Sequence, residues 1–279
     1  MLIKFSKYHG CGNDFICVDA RSANIDLVAF AKKWCVRGFS VGADGILALD
    51  SSPMADFKMT VVNADGSIPE MCGNGLRCFV AYLVHQQLLD STECLIETDA
   101  GILSVTINES NKEVVNMSVQ MGQAKLGSNL PTSDFKFETS NVIQHITVDS
   151  VDYSVVLVSM GNPHAVIFVD DVDSFPVGVV GPFIEQHPCF PNRVNVEFIQ
   201  MNANGSIRMR VWERGVGETY ACGTGACAVV VATSQKKLVA KPTTVILNGG
   251  ELLIDYDSQS NEVIMTGPAE LVYESSLLI

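Results

Sequence analysis

The chain has 279 residues, enough for about two domains at roughly 150 residues each, and its 47% hydrophobic and 18% charged residues fit a sizeable core rather than a disordered tail. Eighteen basic against 31 acidic residues give a net charge of −13, the wrong sign for a surface that neutralises phosphates, so nucleic acid is not expected as a partner. No apolar run approaches the ~18 residues of a membrane span, and the start, Met1-Leu2-Ile3-Lys4-Phe5-Ser6-Lys7, lacks the apolar core and cleavage site of a secretory signal. The expectation is a soluble cytoplasmic protein whose nine cysteines are reduced thiols.

Along the chain, Gly12-Asn13-Asp14-Phe15 leads into the apolar run Ile16-Cys17-Val18. The pattern predicts an amphipathic surface helix over Asp26 to Arg37. Strand-like runs follow at Phe57 to Val62, Ile102 to Ile107, Val114 to Val119, Tyr153 to Ser159, Val194 to Gln200, Ile207 to Val211, Thr244 to Leu247 and Leu252 to Tyr256. They are rich in Val, Ile and Thr and bounded by Gly, Asn, Asp or Pro. Many succeed one another without a helix between them, which argues for antiparallel or mixed pairing. Two further helices are expected over Asn74 to Leu89 and Thr224 to Lys237, each apolar on most faces and therefore buried on most faces. A sheet curled around each would bury it. The fold expected is α+β: two pseudo-symmetric domains, each a mainly antiparallel or mixed sheet around a central helix. Gly122 to Asp134 is the expected crossover, giving domains over 1–122 and 123–267.

Internal similarity supports two halves. Gly12-Asn13 matches Gly161-Asn162, Asn63-Ala64-Asp65-Gly66-Ser67 matches Asn202-Ala203-Asn204-Gly205-Ser206, and Cys72-Gly73-Asn74-Gly75 matches Cys222-Gly223-Thr224-Gly225, at offsets of 149, 139 and 150. The third exceeds the second by 11 residues, so an insertion is expected between Ser206 and Cys222.

Cys72 and Cys222 each open a buried helix. Unpaired N–H groups and a partial positive charge there favour a thiolate and can hold a carboxylate. Two such thiols on opposite sides of a cleft would suit stereochemical inversion, one taking a proton and the other returning it. A buried structural role, a redox dithiol and a cysteine hydrolase with His164 as base are the alternatives. Metal ligation is weak, for want of C-x-x-C spacing or a histidine pair, and no glycine motif ends in Gly-Lys-Ser/Thr as a phosphate loop does. Asn63 and Asn202 also read as turn residues.

These motifs, with Glu213-Arg214-Gly215 and Arg193-Val194-Asn195, resemble those of the diaminopimelate epimerases over nearly the whole chain, and more distantly those of the proline racemases. The resemblance implies an isomerase of LL- and meso-diaminopimelate in lysine and peptidoglycan synthesis. Such enzymes work without pyridoxal phosphate or metal and are typically cytoplasmic homodimers, with the active site in the cleft between the domains. It implies Cys72 and Cys222 as the acid–base pair and His164 and Glu213 as groups tuning them. Gly73, Asn74, Gly223 and Thr224 would hold the reacting carboxylate. Asn13, Asn63, Asn162, Asn195, Glu213 and Arg214 would hold the rest of the substrate, a guanidinium suiting a distal carboxylate and carboxamides offering donors and acceptors. It further implies a C-terminal strand, 268–279, returning to the first domain. Two departures stand out: Gly45 where some members have a Gln substrate contact, and Cys11 where Leu is expected, a thiol that would be more easily oxidised.

Overall fold

The computed structural model describes residues 2–21, 25–69, 71–137, 141–235 and 241–278. The chain divides into two units, Met1–Gln120 with Thr266–Ile279, and Met121–Met265. The first contains β1 (Leu2–Gly10), β2 (Asn13–Asp19), α1 (Leu27–Trp34), β3 (Gly45–Asp50), β4 (Phe57–Asn63), α2 (Gly73–His85), β5 (Glu93–Thr98), β6 (Gly101–Ser110) and β7 (Val114–Gln123). The chain continues through β8 (Lys125–Leu126), β9 (Ile143–Val148), β10 (Val151–Ser159), β11 (Pro163–Phe168), α3 (Val177–Glu185), β12 (Asn195–Met201) and β13 (Ile207–Glu213). It ends with β14 (Gly217–Thr219), α4 (Gly223–Gln235), β15 (Thr243–Leu247), β16 (Gly250–Tyr256) and β17 (Glu262–Leu278). The Lys237 end of the helix expected over Thr224 to Lys237 lies outside the described residues. Among the described residues no helix is long and apolar enough to cross a membrane.

The two units repeat one pairing scheme. In the first, β1–β2 is antiparallel, β2–β3 parallel across α1, β3–β4 antiparallel, β4–β5 parallel across α2, and β5–β6 antiparallel. In the second the same order runs β10–β11, β11–β12 across α3, β12–β13, β13–β15 across α4, and β15–β16. A helix returns the chain to a parallel neighbour wherever a parallel pair occurs, as that connection requires. Corresponding elements open at Gly45 and Asn195, Phe57 and Ile207, Gly73 and Gly223, and Glu93 and Thr243, a uniform separation of 150.

That uniform separation corrects two expectations. No insertion lies between Ser206 and Cys222. The Asn63 and Asn202 turns are not equivalent: the first leaves β4 toward α2, the second joins β12 to β13. Both close alike, with Asn63 N–H donating to Ser67 O at 2.9 Å and Asn202 N–H to Ser206 O at 2.9 Å. The shared sequence encodes a local turn that recurs at two different places.

The central helices are enclosed as their composition demands. Every residue of α2 from Gly73 to Leu83 is buried, as is α4 from Gly225 to Thr233. α2 packs on β1, β2, β3 and β4, and α4 on β10, β11, β12, β15 and β16. α1 buries only Phe30 and Ala31 and is capped by Asp26, whose Oδ1 accepts from the Ala29 N–H at 3.0 Å. It stops at Trp34 rather than reaching Arg37. α3, its counterpart, has no helix-like reading in the sequence because Pro176 and Pro182 flank and interrupt it, and both normally mark breaks. β17 runs on from the second unit into the first, where it pairs antiparallel with β1 from His9↔Glu270 to Leu2↔Leu278.

Candidate active site

In the first unit, Cys72 is the residue that caps α2. Its backbone is extended, its sulfur accepts the Gly75 N–H at 3.3 Å, and its carbonyl takes the first helical bond from Leu76 at 2.8 Å. The thiol donates to Asn13 Oδ1 at 3.8 Å, and Asn74 Nδ2 donates to the same oxygen at 3.3 Å. Asn13 in turn donates to Asp44 Oδ2 at 2.7 Å. Asn13, Cys72 and Asn74 are thus brought together. Asn63 stands apart in its turn, donating to Ser67 Oγ at 2.9 Å.

Behind this group lies Arg77, fully buried and not singled out by the sequence reading. Its Nη2 donates to Asn74 Oδ1 at 2.9 Å and to Cys11 Sγ at 3.8 Å, its Nη1 to Gly73 O at 3.4 Å, and its Nε to Pro268 O at 3.1 Å. A Cβ on Gly10 would lie 3.2 Å from Nη2, so that glycine admits the guanidinium. On a helix otherwise read as apolar, one arginine passes for an exposed position; only a run with no polar face could have flagged it. Cys11 sits in the β1–β2 hairpin at φ 54°, followed by Gly12 at φ 81°, the positive pair of a tight two-residue hairpin. Its thiol is buried and pushed up by that burial, with Arg77 opposing. Less thiolate is available there, contrary to an easily oxidised group. Gly45 is set by a close approach: a Cβ would lie 2.7 Å from Val62 O.

In the second unit, Cys222 is buried before α4, its carbonyl accepting from Ala226 N–H at 2.9 Å and its sulfur 3.5 Å from Thr224 Oγ1. Burial pushes its thiol well up, and Glu213 and Glu197 add to this; the Thr224 hydroxyl and Gly225 N–H oppose it and lose. The helix start alone therefore does not yield the thiolate that the sequence led one to expect. Glu213 is likewise raised by burial, against contacts with Thr219 Oγ1 and Cys222. Asn162 donates to Thr224 Oγ1 at 3.2 Å and its Oδ1 lies 3.0 Å from His164 Nε2. His164 Nδ1 lies 2.7 Å from Glu197 Oε1, both side chains fully buried. Glu197, also missed, lies in β12, whose first five residues are all buried; its sequence sets polar beside apolar residues, so an inward acid there reads as an outward one. Asn195 is buried and clamps backbone, donating to Pro163 O at 3.1 Å and accepting the Arg214 N–H at 2.9 Å. Arg214 is exposed, its Nη1 donating to Asn192 O at 3.3 Å. His164, Asn162, Thr224, Glu213 and Cys222 thus form one cluster. Among the described residues no three His, Cys, Asp or Glu side chains are grouped to hold a metal ion.

The chain matches the family described as diaminopimelate epimerase over residues 5–127 and 156–272. It is 41% identical to a diaminopimelate epimerase of Methanococcus maripaludis over 277 residues, covering 99% of both chains. It is 43% identical to one of Cupriavidus taiwanensis over 284 residues, covering 99% of this chain and 98% of the other. Among solved structures it is similar in fold to a PhzF-family phenazine biosynthesis protein of Bacillus anthracis (TM-score 0.73, 20% identity, all of both chains). It is also similar to a hydroxyproline epimerase of Agrobacterium vitis (TM-score 0.71, 14% identity, 99% of this chain and 91% of that one).

Proposed function

The chain belongs to the diaminopimelate epimerase family, and from that premise we propose that it interconverts LL- and meso-diaminopimelate by proton transfer between two thiols, Cys72 and Cys222, without a cofactor. The observation carrying this reading is the pair of Cys-Gly-x-Gly helix starts at equivalent points of two repeated units. The thiolate of one cysteine removes the α-proton. The electron pair left on the α-carbon spreads into the carboxylate, where the N–H groups of Gly73, Asn74, Gly223 and Thr224 meet the growing charge. The other thiol delivers its proton to the opposite face. One C–H bond breaks and one forms, and the two sulfurs exchange protonation states. Arg214 suits the distal carboxylate, and Asn13, Asn63, Asn162 and Asn195 suit the remaining polar groups. His164 and Glu213, clustered with Cys222, suit the setting of a sulfur's protonation. The setting is lysine and peptidoglycan synthesis in the cytoplasm, by a homodimer.

The test is turnover of LL-diaminopimelate in D2O with a pyridoxal-phosphate scavenger present. Solvent deuterium should appear at the α-carbon at an undiminished rate, and Cys72→Ala and Cys222→Ala should each abolish net epimerisation. Full activity in both variants would overturn the two-thiol assignment.

A further inference from the structure

The buried Glu197–His164 pair is not demanded by the duplicated fold. At the equivalent points of β3 and β2 the first unit has Leu47 and Phe15, both buried; Phe15 pairs with Gly45 as His164 pairs with Asn195. A Cβ on Gly75 would meet Leu47 Cδ2 at 3.1 Å, and one on Gly225 would meet Glu197 Oε1 at 2.8 Å. The same slot behind a helix start is therefore apolar in one unit and carboxylic in the other. Burying an acid and an imidazole costs desolvation where an apolar pair serves. Glu197 Oε2 moreover has no hydrogen-bond partner among the described residues, an expense without a structural return.

We propose that Glu197 is a positioning residue that fixes His164 with Nδ1 as the donor, and so couples the proton count of this pair to the hydrogen bond that Cys222 receives. The link runs from Glu197 Oε1 to His164 Nδ1 (2.7 Å), from Nε2 to Asn162 (3.0 Å), from Asn162 to Thr224 Oγ1 (3.2 Å), and from Thr224 to Cys222 Sγ (3.5 Å). Each member has a fixed inventory of donors and acceptors, so with Glu197 ionised and Nδ1 donating to it, only two arrangements satisfy the chain. With both ring nitrogens protonated, Nε2 donates to Asn162 Oδ1, Asn162 Nδ2 donates to Thr224, and the Thr224 hydroxyl is left to donate to sulfur. With Nδ1 alone protonated, Nε2 needs a donor. The Asn162 amide turns to supply one, Thr224 then donates to Asn162 Oδ1, and the sulfur loses its hydroxyl donor. The first arrangement favours the thiolate and the second the thiol. The other ionisable groups facing the pair are Glu213 of β13 and Cys222 itself, each electrostatically tied to it. The meaning of this coupling for turnover rests on reading Cys222 as a proton-transfer group; the coupling itself does not.

Two measurements test it, neither needing substrate. In the unsubstituted protein, long-range ¹H–¹⁵N spectra of the His164 ring, assigned with His164→Gln, should show its neutral form protonated at Nδ1; a neutral Nε2–H ring would overturn the proposal. Alkylation of Cys222, followed by mass spectrometry at fixed pH, should slow about tenfold in Glu197→Gln, the effect of one unit in thiol pKa, and faster alkylation would overturn the proposal. In a Thr224→Val background the same substitution should change it less than about twofold, the limit for uncoupled sites. An equal effect in both backgrounds means charge acting through space, and no effect in the first means no coupling; either overturns it. Should Glu197→Gln fail to fold, the ring tautomer decides. Absence of deuterium exchange on diaminopimelate with the coupling intact would fault the proposed reaction and not this inference.

Discussion

The fate of a side chain in this protein depends less on the element it starts than on what lies beneath it. Cys222 opens a helix, yet burial first, and Glu213 and Glu197 after it, hold its thiol protonated. A local N–H donor is worth less than removal from water. Glu213 obeys the same balance, and its carboxyl is raised by burial. A carboxyl whose folded pKa is raised contributes stability below its ordinary range and loses it as pH climbs through the folded value. Stability should therefore fall between a pH in the ordinary carboxyl range, about 4, and a more alkaline pH, and Glu213→Gln should flatten that slope. Urea midpoints at the two pH values measure it; an unchanged slope would show the carboxyl to be solvated. Arg77 is the opposite case, a buried cation whose three nitrogens all bond inward. Arg77→Met fills the space but removes the donors that Asn74 Oδ1 and the Pro268 carbonyl accept from. The expected cost is about 3 kcal/mol, that of unsatisfied buried acceptors, read from urea unfolding. Neither Arg77 nor Glu197 was legible in the sequence, because charge on a regular element reads as outward unless the packing is known. The cysteines, Asn162 and His164 were legible because glycine and proline punctuate them.

At the scale of elements, the strands were legible wherever β-branched residues met turn residues: β4, β6, β7, β10, β13, β15 and β16 contain their expected runs, and β12 starts at Asn195, one residue after the expected Val194. α3 was not, since its packing overrides Pro182. Gly181 shows how: a Cβ there would stand 2.7 Å from Trp212 Cβ, so glycine brings the helix onto β13. The two central helices invite a direct comparison. Alanine in place of glycine inside a helix gains up to about 1 kcal/mol. At Gly75 the new methyl meets Leu47 Cδ2 at 3.1 Å, the tip of a side chain that can shift. At Gly225 it meets Glu197 Oε1 at 2.8 Å and Met209 Cε at 3.0 Å, and that carboxyl is held by His164. Overpacking against a pinned group costs roughly 1–3 kcal/mol. Gly225→Ala should thus melt lower than the native chain and Gly75→Ala close to it. The reverse order in thermal unfolding would show that Glu197 is free to move.

At the scale of the whole molecule, the sequence revealed the duplication through its two most rigid signatures, the Gly-Asn turn and the Cys-Gly-x-Gly helix start. It misled through the third, because an Asx turn is a short-range solution available anywhere. What no local pattern carried was the constant separation of 150, which only strand pairing exposes. Besides β7, whose last three residues fall in the second unit, the duplication leaves β17 shared, its later residues serving β1. Removing Val272 to Ile279 would leave β1 only its Tyr8↔Leu271 and His9↔Glu270 pairs on that edge. It would also delete the Phe5–Tyr273 ring contact, at 5.8 Å between centroids, and Glu274, which accepts from Ser6 Oγ at 3.1 Å and Gln86 Nε2 at 2.6 Å. β1 would then be an edge strand beside β2, and α2, which packs on both, would lose backing at its C-terminal end. The second unit gives up none of its own pairs by this cut, since its contribution to β17 ends at Met265. Native-state hydrogen exchange on the truncated chain should show protection lost in β1 and the last turn of α2 and kept in α4 and β12, as expected where cooperative units open separately. Equal loss in α4 would mean that the two repeats unfold as one.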